Sequence, residues 1–530
     1  MKYLFLLVFP IWAFAQGLIE APENHESGDP TTIKSITGTR VTDADGAQKR
    51  ALDVNIPGLG NLMSFSAYGE QTVSQLKLVI QGQAYYRFIP SNFRSFTGGT
   101  GTSDASTGVL KVTSGTTVFG YGTIQSFRSL NYSAGEGSVI RFAARFPNPV
   151  AGTWSGVGGF TISDELSVGY NGTEFGVWHR YGGAPEVQTL TITGAAGGSE
   201  NATVTVNGVA YTVPLTSGTV QKNAKEIADY LTANATLFNA EQLNDTVVVS
   251  FTSDGDKAST FSFTSSTATA SFAETTAGVA KTFNHIPQSE FNGELFTGFD
   301  PSKGNVYQII YQNGYGDMSF FVENPSTNRM QLMHRIKWSN NSTTENLTNP
   351  SLRPGVYAYS VGGTTSTTVE MPYIAGFAEG SKTQTRNTRA YSSTKSIGTT
   401  LTNIFTIRNK RIYQGRINQA EIEPKTLTLA NDGSKSAIFE IRGNPTVAGN
   451  TNFQDIGTNL ISEIDTAGTT VSSDGRLLFS IVLSKGSSAI VDLAKLNIIQ
   501  PATLRLVVAA KMASGASSDL TASLNWLEDL

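Results

Sequence analysis

Apolar side chains in this sequence return at every second position, and no other feature limits the possible folds so tightly. In Ile140-Arg141-Phe142-Ala143-Ala144-Arg145-Phe146, Ile140, Phe142, Ala144 and Phe146 fall on one side and both arginines on the other, the period of a strand with one face buried. Leu520, Ala522, Leu524 and Trp526 repeat the pattern much later in the chain. A half-buried strand must cover its apolar face with a second layer, so the alternation predicts β-sandwiches rather than isolated sheets.

Turn chemistry points the same way. Leu166 to Tyr170 and Glu174 to Trp178 flank Asn171-Gly172, while Tyr307 to Tyr311 and Met318 to Val322 flank a stretch containing Asn313-Gly314. Asn-Gly suits turns whose two central residues need positive φ, so each stretch predicts a hairpin.

Residues 186–283 differ in character. Residues 189–193, 203–206 and 209–213 read as strands, the last two joined across Asn207-Gly208. Ala224, Ile227, Ala228 and Leu231 then fall at helical spacing, with Asn223 and Glu226 placed as a capping box. Strand patterns return at 247–251 and 261–263, which gives a compact ββαββ unit. Strands of the earlier style resume beyond 290, so this module is expected to interrupt one sandwich made of residues 61–185 and 284–400. Residues 401–530 carry a further strand series and are expected to form a second sandwich. The predicted fold is mostly β: two jelly-roll-like β-sandwich domains, the first interrupted by a small α+β module.

Two segments precede the sandwiches. Lys2, the apolar run from Tyr3 to Phe14 and the small-residue ending before Gln16 form a signal-like or anchor segment over residues 1–15. Residues 16–60 are polar and turn-rich, and read as an extended arm. Asp43 and Asp45 there lack the further oxygen ligands of a calcium loop, so a plain turn is the reading.

Composition removes whole classes of function. With 38 Lys+Arg against 42 Asp+Glu the net charge is −4, which gives no field to steer the chain toward nucleic acid. The absence of cysteine excludes disulfides, thiolate metal sites and cysteine nucleophiles. His25, His179, His285 and His334 have no ligand spacing. Neither a cofactor nor a metal site is expected.

A glycosidase needs two carboxylates flanking the scissile bond. Glu463-Ile464-Asp465 resembles the start of the E-x-D-x-x-E signature of jelly-roll glucanases, but Gly468 stands where its second glutamate belongs. No nucleophile elbow or phosphate loop is present, and the chain reads as non-enzymatic. The one strong local signal is electrostatic: between Gly380 and Ala420 there is no acidic residue, while Lys382, Arg386, Arg389, Lys395, Arg408, Lys410, Arg411 and Arg416 are positive. Such a run fits an anionic ligand or a subunit contact, and equally a solvated linker. Tyr85, Tyr86, Tyr170, Trp178, Tyr311, Tyr315 and Trp338 lie in or beside hairpins, where they could stack on sugars or fill the core.

Residues 299–309, the run from Phe321 to Pro325 continuing to His334-Arg335-Ile336-Lys337, and Leu347-Thr348-Asn349-Pro350-Ser351-Leu352 resemble a virion-protein family of tailed phages and large DNA viruses. The phrase Val41-Thr42-Asp43-Ala44-Asp45-Gly46 and the Asn207-Gly208 module resemble pieces of phage fibre and decoration proteins. The resemblance is diffuse and carries no catalytic residue. It implies a structural protein at the virion surface, of fibre or appendage type, partnered by other virion proteins and a host glycan or receptor, and oligomeric, trimeric by analogy with fibres. A signal-like N-terminus fits a second expectation, an exported cell-surface adhesin or carbohydrate-binding protein.

Overall fold

A computed structural model describes residues 37–42, 48–53, 76–84, 92–105, 108–132, 135–257, 260–379, 387–496 and 498–529. The signal-like segment, Tyr85, Tyr86, Lys382 and Arg386 lie outside them. Within the arm, Thr37–Thr42 and Gln48–Asp53 pair antiparallel, with Thr42 opposite Gln48; the Asp43 to Gly46 turn between them is not among the described residues. No helix among the described residues is long and apolar enough to cross a membrane.

The protein is mostly β, as the alternation predicts. A seven-stranded antiparallel sheet runs in the order Thr282–Pro287, Glu174–Tyr181, Glu165–Asn171, Thr153–Phe160, Arg353–Ser360, Tyr121–Ser126, Phe93–Gly98. An eight-stranded sheet, centred on Ser138–Asn148 and Thr368–Ala378, faces it. Ile140, Phe142, Ala144 and Phe146 enter the core between the sheets together with Val157, Val168 and Val177 from the other side. The arginines that alternate with them stay outside, where Arg141 donates to Gln308 Oε1 at 3.0 Å and Arg145 meets Glu370 at 3.2 Å.

Strands from residues 77–181 thus share two sheets with strands from residues 282–378. Between them lies the α+β module, with its own core around Leu190, Val204, Val249 and the helix residues Ala224, Ile227, Ala228 and Leu231. Tyr181 is paired directly with Thr282, so the chain leaves and re-enters the seven-stranded sheet at neighbouring positions. The module holds more strands than its sequence pattern announces, because Phe238–Leu243 and Thr269–Thr276 complete its four-stranded sheet. Both alternate small or polar residues with few large apolar ones, which weakens the period-two signal.

The helix Val220–Asn234 is capped by Thr219, whose side chain accepts from Lys222 N at 3.2 Å. Asn223, expected as the cap, is instead buried in the first turn; it accepts from Ala196 N and donates to Thr216 O and Glu226 Oε2. The hairpin turns also differ from one another. Asn207 and Gly208 both take positive φ, 51° and 77°, as expected. At the other hairpin Asn171 pairs with Glu174 and only Gly172 is positive, at 62°, so Asn171 closes the ladder and glycine takes the first central position of a II′-like turn. Tyr311 pairs with Met318, leaving Asn313 and Gly314 inside a longer loop.

The C-terminal sandwich has a four-stranded and a six-stranded sheet around Phe405, Phe439, Leu524 and Trp526. Its outer strand Asn387–Ile397 pairs along its length with Ser518–Asp529. This corrects the expected boundary at 400: those eleven residues belong to the second sandwich. Their alternation is almost wholly polar, because one side of an outer strand is open to water.

Candidate functional site

Residues paired across an antiparallel sheet point to the same face, so the register determines what lies on the open side of the seven-stranded sheet. One row runs Phe96, Thr123, Tyr357, Gly156, Gly169, Gly176. To one side of it lie Tyr121, Tyr359, Trp154 and Asn171. To the other lie Arg94, Gln125, Gly355, Gly158, Ser167 and Trp178, and beyond them Arg353, Phe160, Glu165, Arg180 and Phe283. Aromatic and charged side chains therefore ring a floor of glycines. Close approach requires two of these glycines: a Cβ on Gly156 would come within 2.8 Å of the Tyr357 ring, and one on Gly176 within 2.6 Å of His285 Nε2.

The result is an open cleft with a cavity volume of about 670 Å³. Its floor is the seven-stranded sheet, one wall is the module through Thr236 and residues 250–253, and the other is the C-terminal sandwich through Arg411, Ile417, Asn418, Gln419, Ala502 and Thr503. The size is that of a ligand site rather than a packing flaw.

The rings are held in fixed poses. Tyr121 stacks on Tyr359 at 5.4 Å between centroids, Tyr357 packs on Tyr359 at 5.3 Å, and Trp154 lies 4.7 Å from Phe283. Trp154 Nε1 donates to Asn171 Oδ1 at 2.9 Å, which fixes the indole over the hairpin. At the mouth, Phe96 is 46% exposed and Phe119 is 74% exposed. Phe119 also sits at φ 63°, a left-handed backbone that a bulky side chain rarely adopts.

Glu165 is the sole carboxylate among the described residues that line the cleft. It accepts a hydrogen bond from Tyr357 Oη at 2.6 Å and one from Ser167 Oγ, and it pairs with Arg180 at 3.0 Å. Burial, with the Glu165 charge second, holds the Tyr357 phenol well above the ordinary tyrosine value, so it remains a donor. Beside them Lys281 pairs with Asp254 at 3.3 Å, and burial lowers the Lys281 ammonium below the usual lysine value.

The basic stretch disperses in three dimensions. Arg408 is buried, pairs with Glu463, donates to Gln242 O at 2.7 Å and lies 4.0 Å from the Phe453 ring centroid. Lys410 pairs with Asp455, and Arg389 approaches Glu528 at 3.9 Å. Lys395 donates to the carbonyls of Asn403, Thr466 and Gly468, and Arg416 donates to Thr348 O at 3.3 Å. Of the described members, only Arg411 lines the cleft. The described members thus do not form one surface: they lie on Asn387–Ile397, on Thr402–Asn409 and in the segment after it, and each meets a different partner.

Glu463 is taken up by Arg408, and Asp465 accepts from the backbone of Asn452, Ala467 and Gly468; both serve the second sandwich's framework. Among the aromatics singled out from sequence, Tyr170 and Tyr311 are core, Trp338 packs on His179 and Tyr181, and Tyr315 is exposed. Trp178 is on the cleft face but buried beneath Phe283 and His285. The cleft residues Arg94, Phe96, Phe119, Trp154, Tyr357 and Tyr359 were not singled out from the sequence. The signal that could have found them is Thr153-Trp154-Ser155-Gly156-Val157-Gly158-Gly159-Phe160, a strand with valine facing one way and glycines bracketed by aromatics facing the other.

No family model matches the chain, and no curated protein matches it. Solved structures that align to it include a pseudo beta-1,3-glucanase and immunostimulatory antigen of Mycobacterium tuberculosis, with 8% identity, 57% of this chain and 99% of that chain covered, and a TM-score of 0.24. Lectin I-B4 from Griffonia simplicifolia aligns with 10% identity, the same two coverages and a TM-score of 0.21. Arcelin-5, a lectin-like defence protein from Phaseolus vulgaris, gives the same identity, coverages and TM-score as that lectin. Superpositions this loose transfer no residue and no activity.

Proposed function

We propose that this protein binds a carbohydrate chain in the cleft over the seven-stranded sheet and does not cleave it. The observation that carries the reading is the cleft's lining: rings fixed on a glycine floor, with Phe96 and Phe119 bare at the mouth. Aromatic faces cover the apolar faces of sugar rings, while the polar groups between them meet hydroxyls; an open trough admits a polymer. Glu165 is already engaged by Tyr357, Ser167 and Arg180, and Asp254, the carboxylate beside it, is held by Lys281 and Ser163; hydrolysis needs two carboxylates about 5 to 10 Å apart and free to flank the scissile bond, so two tied groups support a non-catalytic site.

The cleft supports the carbohydrate-binding expectation raised by the sequence, and it equally meets the host-glycan contact expected of a virion appendage. A glycan array followed by calorimetry on the hits tests this. Wild-type protein binds at least one oligosaccharide, Phe119→Ala weakens it several-fold, and no reducing ends appear. Release of reducing sugar would overturn the non-catalytic part; failure to bind any glycan would overturn the whole.

A further inference from the structure

At one end of the cleft Arg94, Arg353 and Arg411 come together from a strand of the seven-stranded sheet, its neighbour two strands away and the C-terminal wall. Their partners are neutral. Arg94 Nη2 donates to Gln125 Oε1 at 2.8 Å, and its Nε is buried with no partner. Arg353, 4% exposed, donates through Nε to Gln419 Oε1 at 2.8 Å and through Nη1 to Phe127 O. The Arg411 guanidinium has no hydrogen bond or ion pair among the described residues. The carboxylate that acts on Arg353, Glu421, is already gripped by Arg128 at 3.0 Å.

Glu241 acts on Arg411 without forming an ion pair with it, so none of the three guanidiniums holds a carboxylate of its own, and Arg94 feels Arg411 while Arg353 feels both. Burial, then Arg411, lowers Arg94 to about 10. Burial, then Arg94, lowers Arg353 to about 9, with Glu421 opposing and Arg411 adding to the shift. Self-repulsion of this kind is retained at a site that gains an anion on binding, and guanidinium forks suit the planar or tetrahedral oxyanions of acidic sugars.

We propose that Arg94, Arg353 and Arg411 form a subsite for the carboxylate or sulfate of an acidic glycan. This rests on the carbohydrate reading of the cleft and adds the ligand's charge. The subsite lies beside the Phe160 and Tyr357 rings, so an acidic residue there continues a chain stacked along the trough.

The test is binding of four hexasaccharides by calorimetry: a galacturonate and its methyl ester, a galactan sulfate and its desulfated form. The expected result is that at least one acidic form binds tenfold or more tighter than its neutral counterpart. That advantage disappears in Arg411→Gln and in Arg94→Gln, and the arm that responds separates carboxylate from sulfate. Equal binding of acidic and neutral forms in both arms, or an advantage that survives both substitutions, overturns the subsite and leaves the carbohydrate reading standing. If no saccharide binds, thermal unfolding with sodium sulfate decides. A rise in Tm for wild type that Arg411→Gln abolishes keeps the anion site and removes only the carbohydrate reading; equal curves overturn the anion site.

Discussion

Phe119 and His179 show two ways a single residue can be held against its preference. At φ 63° Phe119 carries backbone strain that serves no packing purpose, since its ring is 74% exposed. Such strain costs about 1 to 3 kcal/mol. Phe119→Gly is therefore expected to raise stability by about 1 kcal/mol in denaturant titration while lowering glycan affinity; stability and binding moving in opposite directions is the signature of a residue kept for its ligand. His179 is 1% exposed, with Nε2 2.7 Å from Asn346 O, and its ring stacks on Tyr181. Burial lowers it to about 4, against the hydrogen bond to Asn346, which favours the charged form. The folded protein binds fewer protons than the unfolded chain between pH 6.5 and 4, so stability is full above that window and falls as pH drops through it, by up to about 3 kcal/mol. His285 and His334 are lowered in the same direction by burial and act with the same sign. Thermal unfolding across this range should lose part of its slope in His179→Gln, whose amide can still donate to Asn346.

Elements were legible in the sequence where alternation was strong and obscure where it was not. Ser138–Asn148 announces itself because every buried position after Ser138 is apolar. Asn387–Ile397 does not, because on its inner side only Tyr391 and Ile397 interrupt a run of serines, threonines and charges. The helix was visible from Ala224, Ile227, Ala228 and Leu231, but its start was misplaced by one turn: Asn223 looks like a cap in sequence, while Thr219 holds that position. Thr219→Ala is expected to cost about 1 kcal/mol, and Asn223→Ala more, since it orphans Ala196 N and frees Thr216 from the helix. Arg408 illustrates how a charge run misleads. Eight basic residues with no acid among them between Gly380 and Ala420 suggest one surface, yet Arg408 is locked to Glu463 and Gln242, between the C-terminal sandwich and the module. Arg408→Ala should destabilise by about 3 to 5 kcal/mol by leaving Glu463 buried and unpaired, and Arg408→Ala with Glu463→Leu should recover part of it. Urea titration of both variants measures this.

For the molecule as a whole, the fold class could be read from local pattern and the cleft could not. Its residues come from strands as far apart as Phe93–Gly98 and Arg353–Ser360, and only the register aligns them into rows. The walls are contributed by segments outside the sheet, and no local period records which loop will face which strand. Because Tyr181 pairs with Thr282, the module can be cut out without disturbing that ladder. Replacing residues 183–280 with a short turn is expected to preserve the sandwich's cooperative unfolding, followed by circular dichroism. The same variant should bind glycan more weakly, because one wall of the trough is gone.

The pairing of Asn387–Ile397 with Ser518–Asp529 also orders events during biosynthesis. An early strand of that half must wait, edge unmatched, until more than a hundred further residues have left the ribosome, since its partner lies that far downstream. A premature stop before Ser518 would strand a long row of amide groups in search of a mate, and the expected outcome is precipitation rather than a shortened but usable product.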